Sequence, residues 1–484
     1  MYNRLRFHPQ PLSKGEGRKK GTTYLDCVFL TVVFFLLQSC TQHPKITYSE
    51  NIAPIIYKKC TPCHRPGSAG TFNLLSYEDV RRHAKTIELV VRAHSMPPWP
   101  ADTSYSHFRE EKTISDEEIN LIKQWVEDGA PLGEAPPSPK GGINSPDDSA
   151  KWLASSLHPT SGGRGAPDLV LHMKKSFFIE GNNKDHFMMM KIPFELPQDT
   201  FIRTIEIIPG NRKLVHHINA HLVQYDYNAK KDLNAGERAV NTEEMAKPEA
   251  YKKLDLQNDD GTYPLLTPSV TNYLPGVETS FYPEGIGGYR VKRKCVLLLD
   301  NIHYGPSPVD TIDSTTFNVF FSAVAPRRPT AEFILGTSGI STVEPTLVIQ
   351  PNTVQTFRTK YIVPEDLSIL TINPHMHLLG KSFLAYAITP AGDTIHLIKI
   401  PIWNFRWQYF YTFPKMMKLE KGTVIYVEGV YDNTANNPLN PFSPPRVVSE
   451  REGSMRTTDE MFQLIVTFTP YQQGDENVSL EVKK

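Results

Sequence analysis

The chain has 484 residues, enough for about three domains with cores of their own. Its 52 basic residues balance 52 acidic ones, which excludes a nucleic-acid partner recruited by net positive charge. Forty prolines among frequent Thr, Val, Tyr and Phe exclude a helical bundle as the main architecture and favour strand-rich units joined by many turns.

The first element in chain order reads as an export signal over residues 1–40. Basic residues (Arg4, Arg6, Lys14, Arg18, Lys19, Lys20) precede an apolar run from Cys27 to Leu37, too short to span a bilayer. The run ends at Leu37-Gln38-Ser39-Cys40, which resembles a bacterial lipobox. The expectation is an exported protein, lipid-anchored to the cell envelope at Cys40, with an ordinary cleaved signal as the alternative.

Residues 41–135 form the next unit. Cys60-Thr61-Pro62-Cys63-His64 is a C-x-x-C-H run, the attachment signature of a covalent c-type haem. Two thiols at this spacing can form thioethers to the haem, and the histidine after them can ligate the iron. A zinc half-site or a redox C-x-x-C is the competing reading, but no second C-x-x-C completes a zinc site. Further along, Ser115 is a plausible N-cap, Glu118 completes a capping box, and Gly129 followed by Pro131 ends a helix whose apolar face is Ile119, Ile122, Trp125 and Val126. The unit resembles a class I cytochrome c, a small all-α domain. Met96, in Ser95-Met96-Pro97-Pro98-Trp99, is the candidate sixth ligand, with His94 as its rival.

Residues 136–165 shift to Pro, Gly, Ser and scattered charge and read as a linker, with a helical turn possible at 150–157. Beyond it, 201–208, 294–304, 316–324, 367–372 and 463–468 read as strands. The expected fold is therefore multidomain, an all-α cytochrome c domain followed by two all-β jelly-roll-like sandwiches at 166–342 and 343–484, with a seam near Ile340–Val348. Cys295, in an apolar run, is the one thiol left without a role, so no internal disulfide is expected.

Five of the sixteen histidines stand out. His375 and His377 are two apart, so on a strand they share a face and can bind one metal. His216 and His217 are adjacent and can do so only if their strand bulges or ends there. His303 closes an apolar strand. The ordered motifs His216-His217, His303-Tyr304-Gly305, His375-x-His377 and Thr457-Thr458-Asp459-Glu460-Met461 resemble the copper type II, ascorbate-dependent monooxygenases, the peptidylglycine α-hydroxylating and dopamine β-monooxygenase family. The resemblance covers about residues 166–470. It implies two copper ions, one held by His216, His217 and His303 for electron transfer, the other by His375, His377 and Met461 for catalysis, in two sandwiches facing a solvent-filled cleft. Met455 is the alternative thioether.

The resemblance has departures. Asn373 stands where the animal peptide enzyme has a carboxylate-holding arginine, and Gln463 and Ile465 replace its Asn and Tyr. A C-terminal glycine peptide is thus not the expected substrate. What the resemblance implies is a monooxygenase acting on a small molecule with O2. Soluble members of that family draw their electrons from ascorbate; here the expectation is that an external donor passes them through the haem, on its tether, to the copper at His216, His217 and His303. The alternative is a non-catalytic envelope electron carrier or copper-binding lipoprotein. A carbohydrate-binding surface module has only the fold in its favour.

Overall fold

A computed structural model describes residues 45–65, 70, 72–134, 166–173, 175–243, 245–274, 281–451 and 456–481. The signal, Cys40, the linker and Met455 lie outside these residues. Thr47 onward belongs to one compact unit, while Lys45 and Ile46 are grouped with the stretch that precedes them.

The expected all-α cytochrome c domain is not found. The chain is mostly strand, with 38% strand against 13% helix, and its five α-helices are short. Four of them, α1 (Ala53–Lys59), α2 (Tyr77–Arg82), α3 (Ala84–Arg92) and α4 (Asp116–Glu127), lie before the sheets. The Ser115–Glu118 capping box forms as the sequence requires, and Ile119, Ile122 and Trp125 are the buried face of α4.

The segment between α3 and α4 packs onto the strands instead. Ala101 and Phe108 are part of the core of the second sandwich, with Trp99 packed against it. The Asp102 amide donates to the Lys399 carbonyl at 2.8 Å, and the Arg109 amide to that of Thr412 at 2.8 Å. The Arg109 guanidinium donates to the carbonyls of Phe281 and Leu480. Burying these aromatics against a sheet that is already there removes more apolar surface than short helices can enclose alone. The helical segment has a fixed interface with the strands and is no freely tethered module.

The first sandwich contains β1 (Leu169–His172), β2 (Phe177–Ile179), β3 (His186–Glu195), β4 (Thr200–Ile208), β5 (Val215–Tyr225), β6 (Ala239–Asn241), β7 (Leu265–Tyr273), β8 (Tyr289–Val291), β9 (Lys294–Tyr304), β10 (Thr311–Asp313) and β11 (Thr316–Ser322). A five-stranded antiparallel sheet, β6-β3-β9-β5-β7, faces a four-stranded one, β1-β11-β4-β8. Ile202, Ile205, Phe317 and Val319 from the smaller sheet meet Ile218, Leu222, Leu297 and Leu299 from the larger in one core. The outer face of the larger sheet is covered too, by Leu233, Leu254, Leu256 and the helix α5 (Lys247–Lys253). Strand β9 is buried on both faces, which is why its sequence is a continuous apolar run.

The second sandwich contains β12 (Ala331–Gly336), β13 (Val348–Ile349), β14 (Val354–Ile362), β15 (Leu367–Met376), β16 (Gly380–Ile388), β17 (Thr394–Ile400), β18 (Tyr411–Leu419), β19 (Val424–Asp432), β20 (Val448–Ser449) and β21 (Phe462–Pro470). Sheets β12-β21-β15-β18 and β14-β19-β16-β17 enclose its core. Because β12 pairs with β21 from Ala331, this sandwich begins ahead of the seam expected at Ile340–Val348. Neighbours such as β9 and β5, or β15 and β21, are far apart in sequence. This non-local pairing brings the histidines together. Among the described residues no helix is long and apolar enough to cross a membrane.

Candidate metal and haem sites

The adjacent histidines share a site because their strand bulges. In the β5–β9 pairing, Val215 sits opposite Tyr304 and His217 opposite His303, leaving His216 as the extra residue. The bulge turns His216 to the side of its neighbour. The ligand atoms of His216, His217 and His303 all lie within 4.8 Å of one another, the only such group of His, Cys, Asp or Glu side chains among the described residues. The Nδ1 atoms of His216 and His217 are 3.3 Å apart. His303 Nδ1 is buried without a partner, while its Nε2 donates to Asp185 Oδ1 at 2.6 Å.

A carboxylate on the far nitrogen fixes the tautomer that leaves Nδ1 free to ligate. Asn301 Nδ2 lies 3.1 Å from His217 Nε2, and the flipped amide would accept there in the same way. Burial holds His216 down at about 4 and His217 well below the usual histidine range, so both are neutral near pH 7. Three imidazoles converging on one point fit a copper or zinc ion.

The second group lies at the end of β15. The rings of His375 and His377 are 5.0 Å apart and nearly perpendicular, at 87°. His375 Nδ1 donates to Gln408 Oε1 at 2.5 Å, and His377 Nδ1 to the Asp459 carbonyl at 2.8 Å. Both Nε2 atoms are thereby the ones available to a metal. Burial lowers both histidines, His377 to about 3. Met461 directly precedes β21, whose Phe462 pairs with Met376, and follows Asp459 and Glu460, which are hydrogen-bonded to His377. Glu460 braces the turn, accepting from the amides of His377 at 3.0 Å and Leu379 at 2.7 Å. Two imidazoles joined by the Met461 thioether would suit cuprous copper.

One loop reaches both groups. Residues 401–410, between β17 and β18, carry Trp403, whose Nε1 donates to the His377 carbonyl at 3.2 Å, and Gln408 on His375. Between them Phe405 lies 5.3 Å from the His216 ring and 5.5 Å from that of His377. The Phe405 ring thus contacts a histidine of each group, where the resemblance implies open solvent between the sites. Two of the three departing positions are engaged internally: the Asn373 amide donates to the Tyr409 carbonyl at 2.8 Å, and that of Gln463 to the Thr337 carbonyl at 2.6 Å.

At the C-x-x-C-H run, the amides of Cys63 and His64 both donate to the Cys60 carbonyl, a single helical turn following α1. Neither cysteine is in a disulfide. His64 Nδ1 donates to the Phe72 carbonyl at 3.1 Å, which leaves Nε2 as the nitrogen that could ligate a haem iron. A side chain at position 70 would meet Cys63 O at 2.7 Å and His64 Nδ1 at 2.8 Å, so only glycine allows the chain to close over this turn. These residues fit a covalent haem. Met96 is half-buried just beyond α3, in the turn that leads onto the second sandwich, and His94, its rival, is exposed with φ at 49°.

Asp185, Phe405, Gln408 and Tyr409 escape sequence reading, since nothing in the order of residues joins them to the histidines they touch. Neither family models nor curated proteins match this chain. Among solved structures, infectious bursal disease virus Gt strain aligns at 11% identity over 67% of this chain and 80% of that one, with a TM-score of 0.15. PNGF-II in P21 space group aligns at 10% identity over 62% of this chain and 65% of that one, with a TM-score of 0.22.

Proposed function

We propose that the chain is an exported, copper-dependent monooxygenase with a covalent haem, hydroxylating a C–H bond of a small molecule. The observation that carries this reading is the bulge of β5, which joins His216, His217 and His303 with Nδ1 of His303 left buried and unpartnered. When bound, copper supplies dioxygen chemistry that puts one oxygen atom into the substrate and releases the other as water, using two external electrons.

The chain's own residues have distinct tasks. Asp185 holds His303 in the ligating tautomer, and Gln408 and the Asp459 carbonyl do the same for His375 and His377. Phe405 and Trp403 exclude water from the space around His377. Cys60, Cys63, His64 and Met96 would hold the haem, the entry point for electrons from an external donor. In the lipoprotein form Cys40 would anchor the chain to the envelope.

Metal analysis and optical spectra of the chain matured with haem provide the test. One haem and two coppers are expected, with one copper lost in His375→Ala, in Met461→Ala and in His216→Ala. Copper stoichiometry unchanged in these variants would refute the sites. Oxygen uptake without a hydroxylated product would favour the electron-carrier alternative.

A further inference from the structure

Tyr409 joins the haem-binding segment to the His375 site. Its hydroxyl donates to the Pro98 carbonyl at 2.8 Å, two residues beyond Met96. Its own carbonyl accepts from Asn373, two residues before His375, and its chain neighbour Gln408 accepts from His375 Nδ1. The ring is 4% exposed, packed 5.6 Å from Trp99, with Lys112 Nζ 4.7 Å from its centroid. Burial raises the phenol's pKa far above neutrality, so the hydroxyl remains a donor.

We propose that Tyr409 is a positioning residue that fixes the Met96 turn and the His375 ligand geometry together, making the electron inlet and the His375–His377 site parts of one rigid support. The inference rests on the haem and copper reading above. It differs from the expectation that electrons enter at His216, His217 and His303 from a tethered carrier. The Met96 turn is hydrogen-bonded to the loop that orients His375, and no comparable bond from that turn to the His216 group is present among the described residues.

Tyr409→Phe removes only the hydroxyl. Tyr411→Phe is the matched control, because the Tyr411 hydroxyl is buried beside it with no hydrogen-bond partner. In the full haem-bearing chain, the haem midpoint potential and the absorption band of the methionine–iron bond are measured. Cuprous affinity is measured by competitive titration in a His216→Ala background, which isolates the His375 site. Tyr409→Phe should shift the potential, weaken the band and lower affinity roughly fivefold, the equivalent of one neutral hydrogen bond. Tyr411→Phe should move none of these.

If Tyr409→Phe leaves either the haem signals or the copper affinity unchanged, or if Tyr411→Phe reproduces its effects, the proposal is overturned while the haem and copper reading stands. A wild-type chain that takes up neither haem nor copper overturns both.

Discussion

The ring of Phe405 lies face to face with the imidazole of His216, at 5.3 Å and 15° from parallel, and presents its edge to His377 at 5.5 Å. One side chain from the second sandwich therefore touches a ligand candidate of each group. Removing a buried phenyl typically costs about 3–5 kcal/mol and leaves a cavity. Phe405→Ala should lower stability toward the low end of that range, since its space opens toward the histidines. Denaturant titration reads the stability. In the copper-loaded chain, dipolar coupling between the two sites by electron paramagnetic resonance should weaken or broaden. Unchanged coupling would mean the ring does not set their separation.

Asp185 offers a cleaner separation of the two groups. Its carboxylate contacts His303 and no residue of the His375 group, and the hydrogen bond to His303 holds its carboxyl below the usual range. Loss of such an outer partner commonly costs 10- to 100-fold in metal affinity, and Asp185→Asn should weaken copper binding by about that factor. Competitive titration in His375→Ala and His216→Ala backgrounds distinguishes the sites, and only the former should respond to Asp185→Asn.

The residues that could be read directly were those whose chemistry is local. The Ser115 capping box and the strand at Thr200–Ile208 each need only a few neighbours. The adjacent histidines required a bulge, and β5 supplies it at His216. The supports of those histidines were hidden because the sheet order brings them from distant strands. Tyr409 and Pro98, 311 residues apart, form a hydrogen bond that no sequence period encodes. The same blindness produced the expectation of a separate all-α domain. Helical periodicity in Asp116–Glu127 was real, but the destination of Trp99 and Phe108 was a sheet far along the chain.

Acid should loosen the join between the sandwiches at a defined pair. Burial pushes the Asp475 carboxyl up, but hydrogen bonds from Arg328, Ser368 and the Gln472 amide outweigh it and hold it down at about 2. Arg328 Nη1 and Nη2 reach its two oxygens at 2.5 and 2.6 Å. Because the folded value lies below the unfolded one, this carboxylate stabilises the fold fully above pH 4 or so, and the contribution is lost as pH falls toward 2. It amounts to about 2 kcal/mol. Asp475→Asn should lose it already at neutral pH, flattening the stability profile between about pH 4 and pH 2 in denaturant titrations.

Phe108 tests whether the helical segment is integral to the strands. It is 4% exposed and packs against Tyr411 at 4.9 Å and Phe413 at 5.2 Å, both on β18. A carrier on a flexible tether would leave the sandwich indifferent to this side chain. With the ring inside the core, Phe108→Ala should cost about 3–5 kcal/mol and shift the cooperative unfolding of the whole unit. Calorimetry of the full chain would show it as one transition at lower temperature. A new early transition with the main one unmoved would instead indicate that the segment unfolds on its own. Phe108→Leu, which keeps most of the apolar volume, should recover the larger part of the loss.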